Sequence, residues 1–189
     1  MKNKKLLLGI AWAWLTCLSA NAEVKLPAFF SDGMVMQQQT RANLWGTATP
    51  NAPVKITTSW DKQTYKTIAD AKGAWKLALS TPSAGGPYTI TFDDGKLTEI
   101  RDILMGELWL CSGQSNMEMP MKGFKNQPVE NSNTDVMNSR NPQLRLFTVK
   151  RSSSFTPKTD VVGTWQEAVP ATVREFSATA YYFGRMIQQ

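Results

Sequence analysis

The stretch that most constrains this chain is Gly106-Glu107-Leu108-Trp109-Leu110-Cys111-Ser112-Gly113-Gln114-Ser115-Asn116-Met117-Glu118-Met119-Pro120-Met121. Glu107–Cys111, with its apolar run Leu108–Cys111, reads as a strand covered on both faces. A turn carrying Gly113 follows, and then a helix that Pro120 keeps brief. Ser115 falls where strand gives way to helix. That geometry lifts a hydroxyl into the open above the end of a parallel sheet, as several hydrolase folds do with a nucleophile.

The serine has a second reading. Ser115-Asn116-Met117-Glu118 fits a capping box, in which Ser caps the helix and Glu three residues on reaches back. The Gly-x-Ser-x-Gly elbow of α/β-hydrolases is not matched, because Met117 stands where the second Gly belongs. On pattern alone, nucleophile and cap both stay open. The two readings overlap, since a serine at a helix N-terminus has backbone N–H groups and a dipole that favour an incoming oxyanion. A serine nucleophile also needs a base, most often histidine, and the 189 residues contain none. The block therefore points to an esterase-like site whose catalytic set is incomplete in this sequence. Asp102 and Glu107 flank the expected strand and offer a glycosidase-like carboxylate pair as an alternative.

Before this block, residues 23–101 read as all-β. Asn43–Gly46, Val54–Trp60, Tyr65–Ala69, Trp75–Leu79, Tyr88–Phe92 and Leu97–Ile100 are short strands. They are punctuated by Asp70-Ala71-Lys72-Gly73, by the Gly/Pro loop 82–87 and by Asp93-Asp94-Gly95. This spacing predicts an antiparallel β-sandwich. Its Trp and Tyr residues fit core and cross-strand packing better than a sugar platform. After the block, a short helix near Asp135, a second parallel-type strand over Gln143–Val149 and a polar loop over Arg151–Gln166 are expected. A helix over Phe176–Ile187 follows, with Phe176, Ala180, Phe183 and Ile187 on one face. Two such strands and one long helix do not close an α/β layer, so residues 102–189 are expected to be the front part of a longer domain.

The first 22 residues have the form of a Sec-type signal: Lys2, Lys4 and Lys5, then apolar Leu6–Leu18, then Ala20-Asn21-Ala22. A periplasmic or secreted protein, off the membrane once cleaved, is the expectation. Cleavage removes three of the 21 basic residues and none of the 15 acidic ones, leaving a net charge of +3. The remaining basic residues are scattered, which argues against nucleic-acid binding. Cys17 leaves with the signal, and Cys111 is then alone and expected to be a small buried core residue.

Gly106–Met117 closely resembles the nucleophile block of the sialate O-acetylesterase family, carbohydrate esterases of the SGNH hydrolase superfamily. Leu26–Gln37 and Leu44-Trp45-Gly46 resemble that family's opening, and Gly163-Thr164-Trp165 and Phe176–Arg185 its next block. The resemblance implies a β-sandwich followed by a flavodoxin-like SGNH domain that removes acetyl esters from sugars. It implies Ser115 as nucleophile, with its own backbone N–H at the oxyanion. Gly113, Gln114 and Asn116 would shape the turn, and no cofactor or metal would be needed. The family's further Gly and Asn donors and its His have no counterpart here. The expectation is thus the N-terminal part of a carbohydrate O-acetylesterase, inactive alone, acting on an O-acetylated carbohydrate. A non-catalytic carbohydrate-binding β-sandwich and a truncated gene product are the alternatives.

Overall fold

The computed structural model describes residues 23–188. The signal segment expected over residues 1–22 lies outside them. In chain order the elements are β1 (Val35–Gln37), β2 (Arg41–Thr47), β3 (Pro53–Thr58), β4 (Thr64–Ile68), β5 (Ala74–Ser80), β6 (Gly85–Asp93) and β7 (Leu97–Gly106). Then come α1 (Ser115–Glu118), α2 (Ser132–Met137), β8 (Asn141–Phe147), β9 (Trp165–Ala168), α3 (Pro170–Val173) and α4 (Ala178–Ile187). The chain is mostly β, with few helices.

Alternation makes the first core. In β3 every second residue, Val54, Ile56 and Thr58, points inward. These meet Ile90 and Phe92 of β6, Leu44 of β2, Trp75 and Leu79 of β5, and Ile100, Ile103 and Met105 of β7. Each fully buried aliphatic or Phe side chain among them contributes on the order of 1.5–3 kcal/mol by leaving water. The five-stranded sheet runs β1-β7-β6-β3-β4, and β2 pairs with β5 alone. The sheet is mixed rather than purely antiparallel, because β1 lies parallel to β7 with Gln37 opposite Gly106.

Ile100 and Ile103 are three apart yet share the core face. In the β6–β7 ladder Tyr88 faces Ile103 and Ile90 faces Ile100, so β7 holds one residue more than its partner. Asp102 takes up that residue with φ +56°. Such a bulge turns the alternation over and aims one side chain off the sheet. A second shift, between Gly85 and Tyr88, puts the extra residue on β6 instead.

The second half departs from the expected layer. β8 overlaps the predicted strand over residues 143–147 and leaves Thr148 and Val149 outside, and it pairs antiparallel with β9, an element the polar composition of 151–166 concealed. Gly33 carries φ +78°, and a Cβ there would sit 3.1 Å from the Arg145 guanidinium, so the glycine lets β8 approach the first core. Trp165 donates from Nε1 to Phe29 O at 2.8 Å, and its ring packs against Phe29 and Phe147 at 5.3 and 5.1 Å. A smaller cluster gathers Met121, Leu146, Ala168, Val173, Ala178 and Tyr181. Helix α4 starts two residues after the expected Phe176, because Ser177 caps it, its hydroxyl accepting from Ala180 N at 3.3 Å. Its buried face is Ala178, Ala180 and Tyr181, whereas Phe183 and Ile187 of the predicted face are exposed.

The expected strand Glu107–Cys111 is not one. Residues 107–114 run without ladder partners, and all of them are exposed, Leu110 at 91% and Trp109 at 57%. A strand is stable only when its backbone groups and both faces find neighbours, and no strand among the described residues lies beside 107–111. Cys111 is correspondingly exposed and unpaired rather than buried.

Candidate active site

The approach to Ser115 is set at its base by a glutamate and two glutamines. Glu107 accepts from Gln37 Nε2 at 2.9 Å and from Gln38 Nε2 at 2.8 Å. Gln37 returns its Oε1 to Leu108 N at 2.9 Å, and Gln38 Oε1 accepts from Ala84 N at 2.7 Å. Gln38 N donates to Gly106 O at 2.9 Å. The four of these hydrogen bonds that end on Gly106, Glu107 and Leu108 fix the direction in which the chain leaves β7. The two amides hold the Glu107 carboxyl below the usual glutamate range, because they bond the charged form.

Beyond this clip, Gly113 is exposed, and Gln114 occupies the N-cap position of α1 with φ −112° and ψ −144°. The Gln114 carbonyl accepts from Met117 N at 2.9 Å and Glu118 N at 3.2 Å. Ser115 is the first helical residue, not the cap, and no side chain caps α1. The capping-box reading of Ser115 and Glu118 therefore fails. Glu118 turns instead to Arg151, Oε1 to Nη2 at 2.5 Å. Among the described residues the exposed Ser115 hydroxyl has no hydrogen-bond partner and is free to react.

The start of α4 holds this single turn in place. Thr179 Oγ1 donates to Asn116 O at 3.2 Å, the Ser177 hydroxyl to Met117 Sδ at 3.4 Å, and Ala178 N to Met119 O at 2.9 Å. Trp109 adds an edge-on contact with Phe183 at 5.1 Å between ring centroids. Gly113, Gln114, Ser115 and Asn116 thus lie together on one exposed turn. Sequence reasoning missed Gln37 and Gln38 at its base and Ser177 and Thr179 at its back. Only the hydroxyls opening α4, inside the Phe176–Arg185 block, gave a signal for the latter pair.

The alternative carboxylate pair is not assembled. Asp102 is forked by Arg145, at 2.5 and 3.1 Å, and Glu107 is taken by the glutamines. The aromatics of the β strands pack as a core: Trp75 is buried, and Trp60 meets Tyr88 edge-on at 5.7 Å. One cavity of about 400 Å³, lined by Val24, Leu26, Phe30, Asp32, Glu99 and Thr164, leaves Ser115 outside, as does another of about 300 Å³ lined by Asn141, Gln143, Arg185 and Gln188. Ser115 stands on open surface.

No protein-family model matches the chain. It is 28% identical to the sialate O-acetylesterases of Homo sapiens and Pongo abelii, over 88% of its own length and 35% of theirs. It is 27% identical to that of Mus musculus, over 89% of its length and 34% of the relative's. A solved carbohydrate acetylesterase from Xanthomonas citri superposes with a TM-score of 0.81 at 33% identity, over 88% of this chain and 37% of that one. Over nearly nine-tenths of its length the chain is thus similar to sialate O-acetylesterases, and it spans about a third of theirs.

Proposed function

We propose that this chain carries the nucleophile of a carbohydrate O-acetylesterase, with Ser115 as the attacking group. The reading rests on one observation above the others: the Ser115 hydroxyl is exposed and unengaged on a turn clamped from both sides, once the capping role is removed. The similarity to sialate O-acetylesterases supports the reaction class, and the substrate is an O-acetylated sugar. The chain would be exported through its first 22 residues to the periplasm or outside. Its β-rich part would be a sandwich, and residues 102–189 would enter a flavodoxin-like SGNH layer.

Ser115 Oγ attacks the acetyl carbonyl carbon, and the carbonyl oxygen becomes an oxyanion that the Ser115 backbone N–H can meet. Collapse breaks the bond to the sugar oxygen, which leaves as a hydroxyl, and acetyl-Ser115 remains. Water then hydrolyses that ester, releasing acetate and restoring the hydroxyl. Gly113, Gln114 and Asn116 shape the turn and do not move protons. The 189 residues include no histidine, so the proton of Ser115 passes to a base outside them. Loss of triad members costs about 10⁴ in rate, and this chain by itself should hydrolyse at background.

The test supplies the base from solution. Purified protein and Ser115→Ala are incubated with 9-O-acetylated N-acetylneuraminic acid, with and without imidazole. Acetate release is followed together with the mass of the peptide bearing Ser115. Imidazole-dependent release above the Ser115→Ala control, with an acetyl adduct on Ser115, is the expected result. Equal rates for the two proteins and no adduct would remove Ser115 as nucleophile.

A further inference from the structure

Between β8 and β9 the chain makes a loop, residues 148–164, with fastened ends and an open middle. Lys150 N donates to Val162 O at 2.7 Å and closes the neck. Gly163 lets the returning chain lie on Phe147, where a Cβ would come within 2.5 Å of the ring. The outgoing limb is tied to α1, because Arg151 Nη2 meets Glu118 Oε1 at 2.5 Å. The returning limb is tied to the β-rich part: Trp45 Nε1 donates to Thr159 O at 2.9 Å and Ala28 N to Asp160 Oδ1 at 2.8 Å. The loop is thus a strap between the helix of Ser115 and the β-rich part.

Every residue from 148 to 162 is exposed, and none of them belongs to a helix or strand. Between Arg151 and Lys158 the main chain has one partner among the described residues, the Ser154 hydroxyl. It donates to Thr156 O at 2.7 Å and accepts from Thr156 N at 3.2 Å, so that contact lies within the span itself. An endoprotease holds its substrate as an extended strand and pairs with the main-chain groups around the bond it cuts. Inside a ladder those groups are taken; in this span they are free. The side chain that a protease would read is also on offer. Arg151 is 84% exposed, and an ion pair as open as the one it makes with Glu118 contributes little. Other basic residues are held: Lys55, Lys76 and Arg145 lie in ladders, and Lys72 and Lys125 in hydrogen-bonded turns.

We propose that this strap is a processing site: an endoprotease that selects basic residues hydrolyses the Arg151–Ser152 bond, and the nicked chain stays one folded body. Water adds across the peptide bond, leaving a carboxylate on Arg151 and an ammonium on Ser152. The new carboxylate stands beside the Arg151 guanidinium and competes with Glu118 for it, so the cut loosens α1 from the strap. The ties of α1 to α4 do not run through the strap, and they remain. The two pieces, residues 23–151 and 152–188, are held by what they share. One ladder sets Phe147 opposite Trp165. Met121 and Leu146 pack in one cluster with Ala168, Val173, Ala178 and Tyr181, and Met121 N donates to Phe176 O at 2.9 Å. The proposal is independent of the chemistry at Ser115.

The full chain is digested briefly with dilute trypsin, and the products are identified by mass after size-exclusion chromatography with and without urea. The first cut within residues 23–188 is expected after Arg151, with the two pieces eluting together in buffer and apart in urea. Chymotrypsin, which reads aromatic residues, should cut first after Phe155, whose ring is fully exposed in the same span. Lys150→Gln/Arg151→Gln should slow the first tryptic cut about tenfold or more, because the remaining basic residue of the strap, Lys158, is followed by the tied Thr159 and Asp160. Both replaced side chains are exposed, so this variant should melt with the parent and its rate reports the site alone. Four outcomes would each overturn the proposal: a first tryptic cut elsewhere in residues 23–188, an unchanged rate in the double variant, a first chymotryptic cut outside 151–158, or pieces that separate without urea.

Discussion

Arg145 and Asp102 meet as fork and carboxylate, Nη1 to Oδ2 at 2.5 Å and Nη2 to Oδ1 at 3.1 Å, across 43 residues of chain. The Arg145 side chain is 4% exposed and that of Asp102 44%. Arg145 also donates to Gly33 O at 3.4 Å and Pro142 O at 2.9 Å, and Glu167 stands 3.7 Å away. The pair joins the bulge of β7 to the β8–β9 hairpin, and hence the β-rich part to the part that carries α4.

Removing the Asp102 carboxylate leaves a buried guanidinium with carbonyls and one distant glutamate. Asp102→Ala should cost about 1–3 kcal/mol in urea unfolding. Arg145→Lys should cost a similar amount, because an ammonium cannot reproduce the two-pronged geometry. Both variants melting with the parent would show that the two parts are held by apolar packing alone.

The lowered pKa of Glu107 makes the clip sensitive to acid. A carboxyl depressed in the folded state contributes stability above its unfolded pKa, and that contribution is lost as pH falls through the folded value. The clip should therefore be intact at neutral pH and weaken below the ordinary glutamate value of 4.5. Glu107→Gln should flatten this part of the melting-temperature profile and leave the neutral-pH fold intact. Amide exchange at Leu108, whose N–H bonds Gln37, should quicken in the variant at neutral pH; parent-like exchange there would mean that the glutamines orient the chain without the carboxylate.

Leu110 offers a test of the open segment. Its side chain makes little contact within the chain, so Leu110→Asp should change the melting free energy by no more than about 0.5 kcal/mol. Apolar surface of this kind drives association in proportion to area. Light scattering at rising concentration should show self-association in the parent and less of it in Leu110→Asp. A parent that stays monomeric at high concentration would mean that the segment folds back onto its own chain in solution.

Much of the β-rich part was legible because its strands are half-buried and so alternate. Val54, Ile56 and Thr58 mark their face in the sequence as plainly as in space. The parallel β1–β7 pairing was not legible, since three residues carry too little pattern. Nor was the bulge at Asp102: a residue of positive φ leaves no periodic trace, yet it reverses a strand's faces. The Ser115 turn was located by its residues, but its supports were hidden. Gln37, Gln38, Ser177 and Thr179 act from 60 or more residues away through hydrogen bonds that no local period encodes. The strand expected over 107–111 failed for the opposite reason. Its apolar run describes a place in a sheet, and a place in a sheet exists only when the neighbours do.

The pairing of Gly106 with Gln37 at the end of the β1–β7 ladder has a consequence at a distance. It puts the next residue, Glu107, within reach of both glutamine amides. One residue more or fewer at the end of β7 would carry Glu107 past them and turn every side chain beyond to the opposite face. The β-rich part holds no reacting group, yet it serves as the ruler from which the direction of the serine is measured.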